Sequence, residues 1–360
     1  MMKILDQYIL RKFLGTFIYS IALISIVIIV FDISEKMEDF IDKHAPLKAI
    51  VFTYYCNFVP YIVNLFSPLF TFISVVFFTS RMAARSEVVA ILSGGISFKR
   101  FLYPYLAGAF FIATLSFYFN HVVIPNANKK RLAFENTYVH NPYMNNSQNI
   151  HRQISKGVFI YLESFNNIQN TGYKFALERI SGNLLKYKMM SDYIVWDTVK
   201  KRWKIFGYFI RRFADDGSQQ VSSGGEMDTV LNFTPMDFVE RLNDVEAMDY
   251  KELNSYIEQQ RMQGSTNILY YEVEKYKRTA FPFATFILTF IGVSLSSRKV
   301  KGGTGLHLGI GLFIAFSFIL VMQVSTTFAE GGLLSPLVSV WIPNIVYGIL
   351  AFFMIRLAPK

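Results

Sequence analysis

Along the chain, hydrophobic and polar positions are sorted into long blocks rather than mixed. Six windows run without an Asp, Glu, Lys or Arg: Phe13 to Phe31, Ala49 to Ser80, Phe101 to Asn120, Thr279 to Ser297, Gly302 to Ala329 and Gly331 to Ile355. A helix needs about 20 apolar residues to cross about 30 Å of hydrocarbon, so each window predicts one membrane span. The first is too long for the apolar part of a secretory signal. "VFDISEKMED" follows it without a small-residue cleavage site, so it reads as an uncleaved span. The second is long enough to tilt or to project, with Pro60 and Pro68 as places to bend. The last two meet at a tight "AEGG" turn around Glu330.

Between about Asn126 and Arg278 the pattern changes. "KGVFIYLESF", "YKFALERI", "LLKYKMMSDYIVW" and "RWKIFGYFIRR" are short runs rich in Tyr, Phe, Ile and Val, separated by turn-forming "NNIQNTG", "SGN" and "DTVKK". This predicts antiparallel strands. In the fourth run, strict alternation puts Trp203, Ile205, Gly207 and Phe209 on one face and Lys204, Phe206, Tyr208 and Ile210 on the other. Apolar groups on both faces suit a sandwich or jelly roll. The stretch "TPMDFVERLNDVEAMDYKELNSYIEQQRMQGS" reads as helical, with Asp249 as an N-cap and Gly264 as a stop. The expected organisation is α-helical membrane segments at 1–125 and 271–360, three spans in each, around an all-β, jelly-roll-like insert with a connecting helix at 126–270.

Composition agrees. The chain is 52% hydrophobic and 17% charged, against about 25% charged in soluble domains. Its net charge of +10 raises nucleic acid as a partner, but placement of the bases excludes it. On one side of the spans fall Lys3, Arg11, Lys12, Arg81, Arg85, Lys99, Arg100, Arg298, Lys299, Lys301, Arg356 and Lys360, with only Asp6 and Glu87 against them. The first loop on the other side carries Asp32, Glu35, Glu38, Asp39 and Asp42 beside Lys36, Lys43 and Lys48. Bases gather on the cytoplasmic side, so both termini are expected there and the insert outside.

Catalytic patterns are missing. Cys56 is the single cysteine and the five histidines are scattered, so neither a disulfide nor a His-Cys metal cluster is expected. "KGGTGLHLGIG" lacks the order of a phosphate loop and reads as a flexible turn with close helix packing. The absence of charges within the spans argues against an ion-driven carrier. A non-enzymatic chain whose energy comes from another subunit is the leading expectation; a membrane-anchored periplasmic binding or scaffold protein without transport is the alternative from another class, and an ion-coupled secondary carrier is the third reading. Between spans two and three lies "RSEVVAILSGGIS". As a helix it puts Val88, Ile91 and Leu92 on one side and Glu87 and Ala90 toward another, and Gly94 and Gly95 stop it. Two readings stay open for it: docking into a groove of a cytoplasmic ATPase, or an interfacial turn.

This segment, the opening "LDQYILRKFLGTF" and the three-plus-three layout around a β-rich insert together resemble lipopolysaccharide-export ABC transporter permeases of the LptF/LptG (YjgP/YjgQ) type, over essentially the whole chain. The resemblance implies an inner-membrane subunit that works with a second LptF/LptG-type permease, a dimer of the LptB-type ATPase and the bitopic LptC-type protein. ATP and Mg would be bound by the ATPase, with no cofactor in this chain. It implies that Arg85–Gly95 is the coupling helix, with Arg85, Ser86, Glu87, Val88, Ile91, Leu92 and Gly95 as its working residues. It further implies that spans one and five line a lateral entrance for lipopolysaccharide. Lys36 and Lys43 are then the candidates for lipid phosphate, and Phe313, Phe316, Phe318, Leu320 and Met322 the candidates for acyl chains.

Overall fold

The computed structural model describes residues 3–139, 148–214, 216–238, 242–298 and 303–358. Lys299, Lys301, Lys360 and the expected start of the fifth span at Gly302 lie outside them. Among the described residues, six helices are long and apolar enough to cross a membrane: α1 Ile4–Asp42, α2 Leu47–Ala84, α4 Phe98–Tyr138, α6 Ile268–Ser296, α7 Thr304–Glu330 and α8 Pro336–Leu357. Two shorter helices are α3 Glu87–Ser93 and α5 Tyr250–Gln263.

Several helices outrun their apolar windows. The 39 residues of α1 span about 58 Å at 1.5 Å per residue, well beyond the hydrocarbon. Its extension, "DISEKMEDFID", is held by an Asp32–Lys36 pair one turn apart. Helix α4 likewise runs on through "NANKKRLAFENTY", where the insert was expected to begin, because Ala, Lys, Arg, Leu and Glu keep the chain helical. Helix α2 passes Pro60 and Pro68 without a break. The expected glycine-rich turn is corrected in part: residues from Thr304 onward are already helical, and of Gly305, Gly309 and Gly311 the last packs closely, facing Phe72 and Val76. The "AEGG" turn closes as expected, with Gly332 at φ +79° and the Leu333 amide donating to the Phe328 carbonyl at 2.9 Å.

The chain divides into two compact units: Met1–Val139, Val245–Leu253 and Leu269–Lys360 form one, His140–Asp244 and Asn254–Ile268 the other. In the helical unit, α1, α2 and α4 share a core built on Ile9, Phe13, Val75, Met82, Phe101 and Tyr105. Gly108 makes the α1–α4 contact close, since a Cβ there would lie 2.6 Å from the Phe13 ring. A second core joins Phe72 and Val76 of α2 to Ala284 and Leu288 of α6, Phe318 of α7 and Tyr347 of α8.

The other unit carries six strands: β1 Gln148–Ser155, β2 Val158–Asn166, β3 Thr171–Ser181, β4 Leu184–Asp197, β5 Arg202–Phe213 and β6 Gln219–Thr229. They form one antiparallel sheet in chain order. The all-β insert is therefore present, but the order of these strands is a meander, without the crossing connection of a jelly roll. Its core holds Leu162, Phe165, Phe175, Ile194, Trp203 and Phe238, and the Trp203 indole donates to the Phe233 carbonyl at 2.8 Å.

The expected alternation of β5 fails at its centre. Trp203 and Ile205 are buried, yet so is Ile210, while Phe209 is exposed. Gly207 sits at φ +62° and reverses the phase. The same reversal separates Leu162 from Phe165 and Ser191 from Ile194. Flanking pairs align Glu163, Lys174, Asp192, Gly207 and Gly225 in one row across β2 to β6; Lys174 is also left-handed, at φ +49°. The row is a crease that switches which residues face the core, as bulges do. The helical expectation for "TPMDFVERLNDVEAM" is corrected to two 3-10 turns at Pro235–Phe238 and Leu242–Ala247. The Asp249 cap forms, its Oδ1 accepting from the Lys251 and Glu252 amides, and Gly264 follows α5 at φ +72°.

Candidate functional site

Helix α3 is an elbow between two spans. After α2, Ser86 takes a left-handed backbone at φ +64°, and Gly95 does so at the far end with φ +87°. Ser97 then caps α4, its hydroxyl accepting weakly from the Arg100 amide at 3.4 Å. Seven residues cannot hold a helix in water, so burial must. Val88 is 0% exposed within the α1–α2–α4 core, and Ile91 and Leu92 pack against the same cluster. These three are the elbow's root and face inward. The outward side presents Val89 and Ala90, with Ser86, Ser93, Gly94 and Gly95 at its edges. Val89 carries no signal in the sequence, because it lies off the apolar stripe of Val88, Ile91 and Leu92, which is the buried one.

Both acids on this basic face are engaged near the elbow. Glu87 is half-buried; the Tyr8 hydroxyl donates to it at 3.4 Å and the Arg85 guanidinium lies 4.0 Å away. Asp6 is buried and accepts two hydrogen bonds from Arg100, one at 2.8 Å, tying the starts of α1 and α4 together. The elbow thus leaves α2 and enters α4 through fixed ends.

At the opposite end of α1, Lys36 and Lys43 are occupied within the chain. The Lys36 ammonium pairs with Asp32 at 2.7 Å and Glu135 at 3.4 Å and donates to the Tyr54 hydroxyl. Tyr55 also donates to Asp32, at 3.0 Å. A π-helical stretch, Ile50–Tyr55, turns two successive tyrosines toward α1. Lys43 donates to the Val139 carbonyl at 2.9 Å. Lys48, at the start of α2, is exposed.

The six spans differ in how much of themselves the chain covers. Buried residues make up 61% of the most apolar stretch of α2 and of α6, but 17% in α1 and 22% in α7. On α7, Phe313, Phe316 and Leu320 point outward and are 74%, 55% and 64% exposed. Phe318 and Met322 turn inward to the α2–α6–α8 core, which removes them from the acyl-chain candidates.

A polar cluster unforeseen in the sequence occupies the helical unit. Asn64 accepts from Ser116 at 2.7 Å and donates to Asn120 at 2.7 Å. Arg278 donates to the carbonyls of Met248 and Val245 at 2.6 and 2.7 Å, and Arg131 reaches Glu246 at 3.2 Å. Burial, followed by the nearby Glu274 charge, pushes the Glu246 carboxyl above its ordinary range. The cluster fastens the 245–253 segment to α4 and α6. No short spacing announces it, since its partners are up to 158 residues apart, as in the bond from the Asn120 side-chain amide to the Arg278 carbonyl.

Six spans, a β insert and an elbow rooted between spans two and three define a multi-pass membrane protein of permease type. The two under-covered spans are the ones on which a neighbour or a lipid would bear. The chain belongs to the lipopolysaccharide export system permease LptF/LptG family, whose family model matches residues 7–357. A comparison with curated proteins finds no match.

Proposed function

We propose that this chain is one of two permease subunits of an exporter that extracts lipopolysaccharide from the inner membrane, with the ATP hydrolysed by a separate LptB-type ATPase. In this reading both termini and α3 are cytoplasmic and the β insert is periplasmic, and the gathering of bases on one side of the spans supports that orientation. The chain itself is non-catalytic. Its work is to convert movement of the ATPase into movement of α2 and α4, and to offer α1 and α7 to a second permease, an LptC-type protein and the substrate. Phe313, Phe316 and Leu320 then meet acyl chains or the neighbouring subunit.

The observation that carries the proposal is the construction of α3: a short helix exposed on one side and rooted through Val88 in the helices it would move. Glu87 stands at its exposed edge, where an Arg or Lys of the ATPase can pair with it. Removing one partner of a desolvated charge pair costs about 2–5 kcal/mol. In the purified permease–ATPase complex, Glu87→Lys is expected to abolish ATP-driven release of lipopolysaccharide while leaving the spans and insert folded. Release at the wild-type rate from that variant, or copurification of the chain with no nucleotide-hydrolysing subunit, overturns the proposal.

A further inference from the structure

Helices α1 and α2 carry two facing stripes near the elbow. On α1, Tyr8, Lys12 and Thr16 succeed one another at one-turn intervals; on α2, Phe77 and Arg81 do the same, with Arg85 one turn further on as the residue that closes the helix. All six border a hollow of about 320 Å³. A second hollow of about 430 Å³ shares Tyr8, Lys12, Thr16 and Phe77 and continues along α1 past Gly15 to Tyr19. Together they make one cleft. Helix α1 runs away from the basic face and α2 runs toward it, so Lys12 and Arg81 sit near one level, with Phe77, Gly15 and Tyr19 deeper among the apolar residues. A Cβ added to Gly15 would meet nothing within 4 Å, so the deep part of the cleft is open.

The first hollow is also lined by one acid, Glu87, which faces Arg85; its other bases are unspent. Among the described residues Lys12 and Arg81 make no ion pair, and Arg85 has only the 4.0 Å approach to Glu87. Elsewhere on this face Arg100 is already matched by Asp6. Like charges facing across a cleft repel, and an anion between them relieves that repulsion.

We propose that this cleft binds an anionic phospholipid of the surrounding leaflet, with its phosphate between Lys12 and Arg81 and an acyl chain along Phe77, Gly15 and Tyr19. Cation above and apolar channel below match the order of such a lipid from headgroup to tail, an order that a free phosphate would use only in part. Because Arg85 borders the cleft and also faces Glu87, a bound headgroup competes with the elbow for that guanidinium. Lipid occupancy therefore bears on the pose of α3. The binding goes beyond the transport reading and does not depend on it.

The test uses the full chain in bilayer nanodiscs of phosphatidylcholine with a minority of phosphatidylglycerol in both leaflets, so that neither membrane orientation nor an ATPase affects the result. Retained lipid is counted by native mass spectrometry. Wild type is expected to retain phosphatidylglycerol over phosphatidylcholine. Each base near an anionic surface is worth about a fivefold preference, so Lys12→Gln with Arg81→Gln lowers the enrichment by about twenty- to thirtyfold. Lys3→Gln with Lys99→Gln, which removes equal charge from the same face outside the cleft, leaves it nearly unchanged. Both pairs are surface changes and should melt with the wild type. Absence of enrichment in wild type, an equal loss from the control pair, or displacement of the lipid by inorganic phosphate alone overturns the proposal.

Discussion

Val88→Ala tests whether burial of one side chain is what holds α3. The helix has seven residues, about half the length that keeps an isolated helix folded in water. Val88 is fully enclosed, in a cluster with Met82, Ala83, Phe98 and Phe101. Deleting two methyl groups forfeits about 0.8 kcal/mol each, and incomplete collapse of the hole raises the loss to about 2 kcal/mol. At 1.36 kcal/mol per factor of ten, local opening becomes about thirtyfold more frequent. Hydrogen–deuterium exchange reads this directly at the Ala90 and Gly94 amides, which donate to the carbonyls of Ser86 and Ala90 at 3.0 Å. They should exchange about thirtyfold faster, while amides in the middle of α2 and α4 keep their rates. Glu87→Gln is the companion variant. Its contacts are long, so exchange in α3 should stay within about twofold of wild type. Unchanged exchange in Val88→Ala, or equal acceleration in Glu87→Gln, refutes the account of the elbow's root.

Two further outcomes follow from the crease and the α5 cap. Gly207→Ala places a Cβ 2.1 Å from Asp192 Oδ2 at a left-handed residue; the backbone alone costs about 1–2 kcal/mol. Thermal melting of the full chain should shift down by several degrees, with partial recovery when Asp192→Ala is added, and an unshifted melt would disprove the crease. At the start of α5, backbone hydrogen bonds from Glu252 and Lys251 hold the Asp249 carboxyl below its ordinary 3.8, and Lys129 holds Glu252 below its ordinary 4.5. A depressed carboxylate stabilises fully above the unfolded value and loses its effect as pH falls through the folded one. Exchange protection of the first turn of α5, corrected for intrinsic rates, should thus be flat from neutral pH to about the ordinary carboxylate range and decline below it. A decline beginning near neutral pH would contradict this.

The sequence disclosed what depends on local pattern. The six spans were legible because a charge inside hydrocarbon is costly, and their ends were misjudged because helices do not stop where the hydrocarbon does. Asp249 and Gly264 were legible as cap and stop because both act within one turn of backbone. Strand β6, "QQVSSGGEMDT", was not, since a polar edge strand is defined by its hydrogen bonds to β5 rather than by apolar alternation. The crease escaped for a related reason: period-two reading assumes that φ never changes sign within a strand. For the candidate site, Glu87 and the elbow were visible as a motif, whereas the use of Val88, Ile91 and Leu92 as its root required tertiary contacts. Lys36 shows the same limit. Its spacing from Asp32 is visible, but Glu135 lies 99 residues away, and only the folded chain reveals that this amine is already matched.

In the proposed exporter, the sparse cover over α1 and α7 would bear on how a passage for fat opens and shuts. In a bilayer no water is driven out when helices meet, so an apolar seam without hydrogen bonds across it rests on packing fit and lipid entropy. Leucine, isoleucine and phenylalanine side chains offer a neighbouring protein much the same welcome that they offer a hydrocarbon tail. A boundary made of them is only weakly biased between being closed by protein and being wedged by lipid, and a modest push from the far end of the helices is enough to change its tenant.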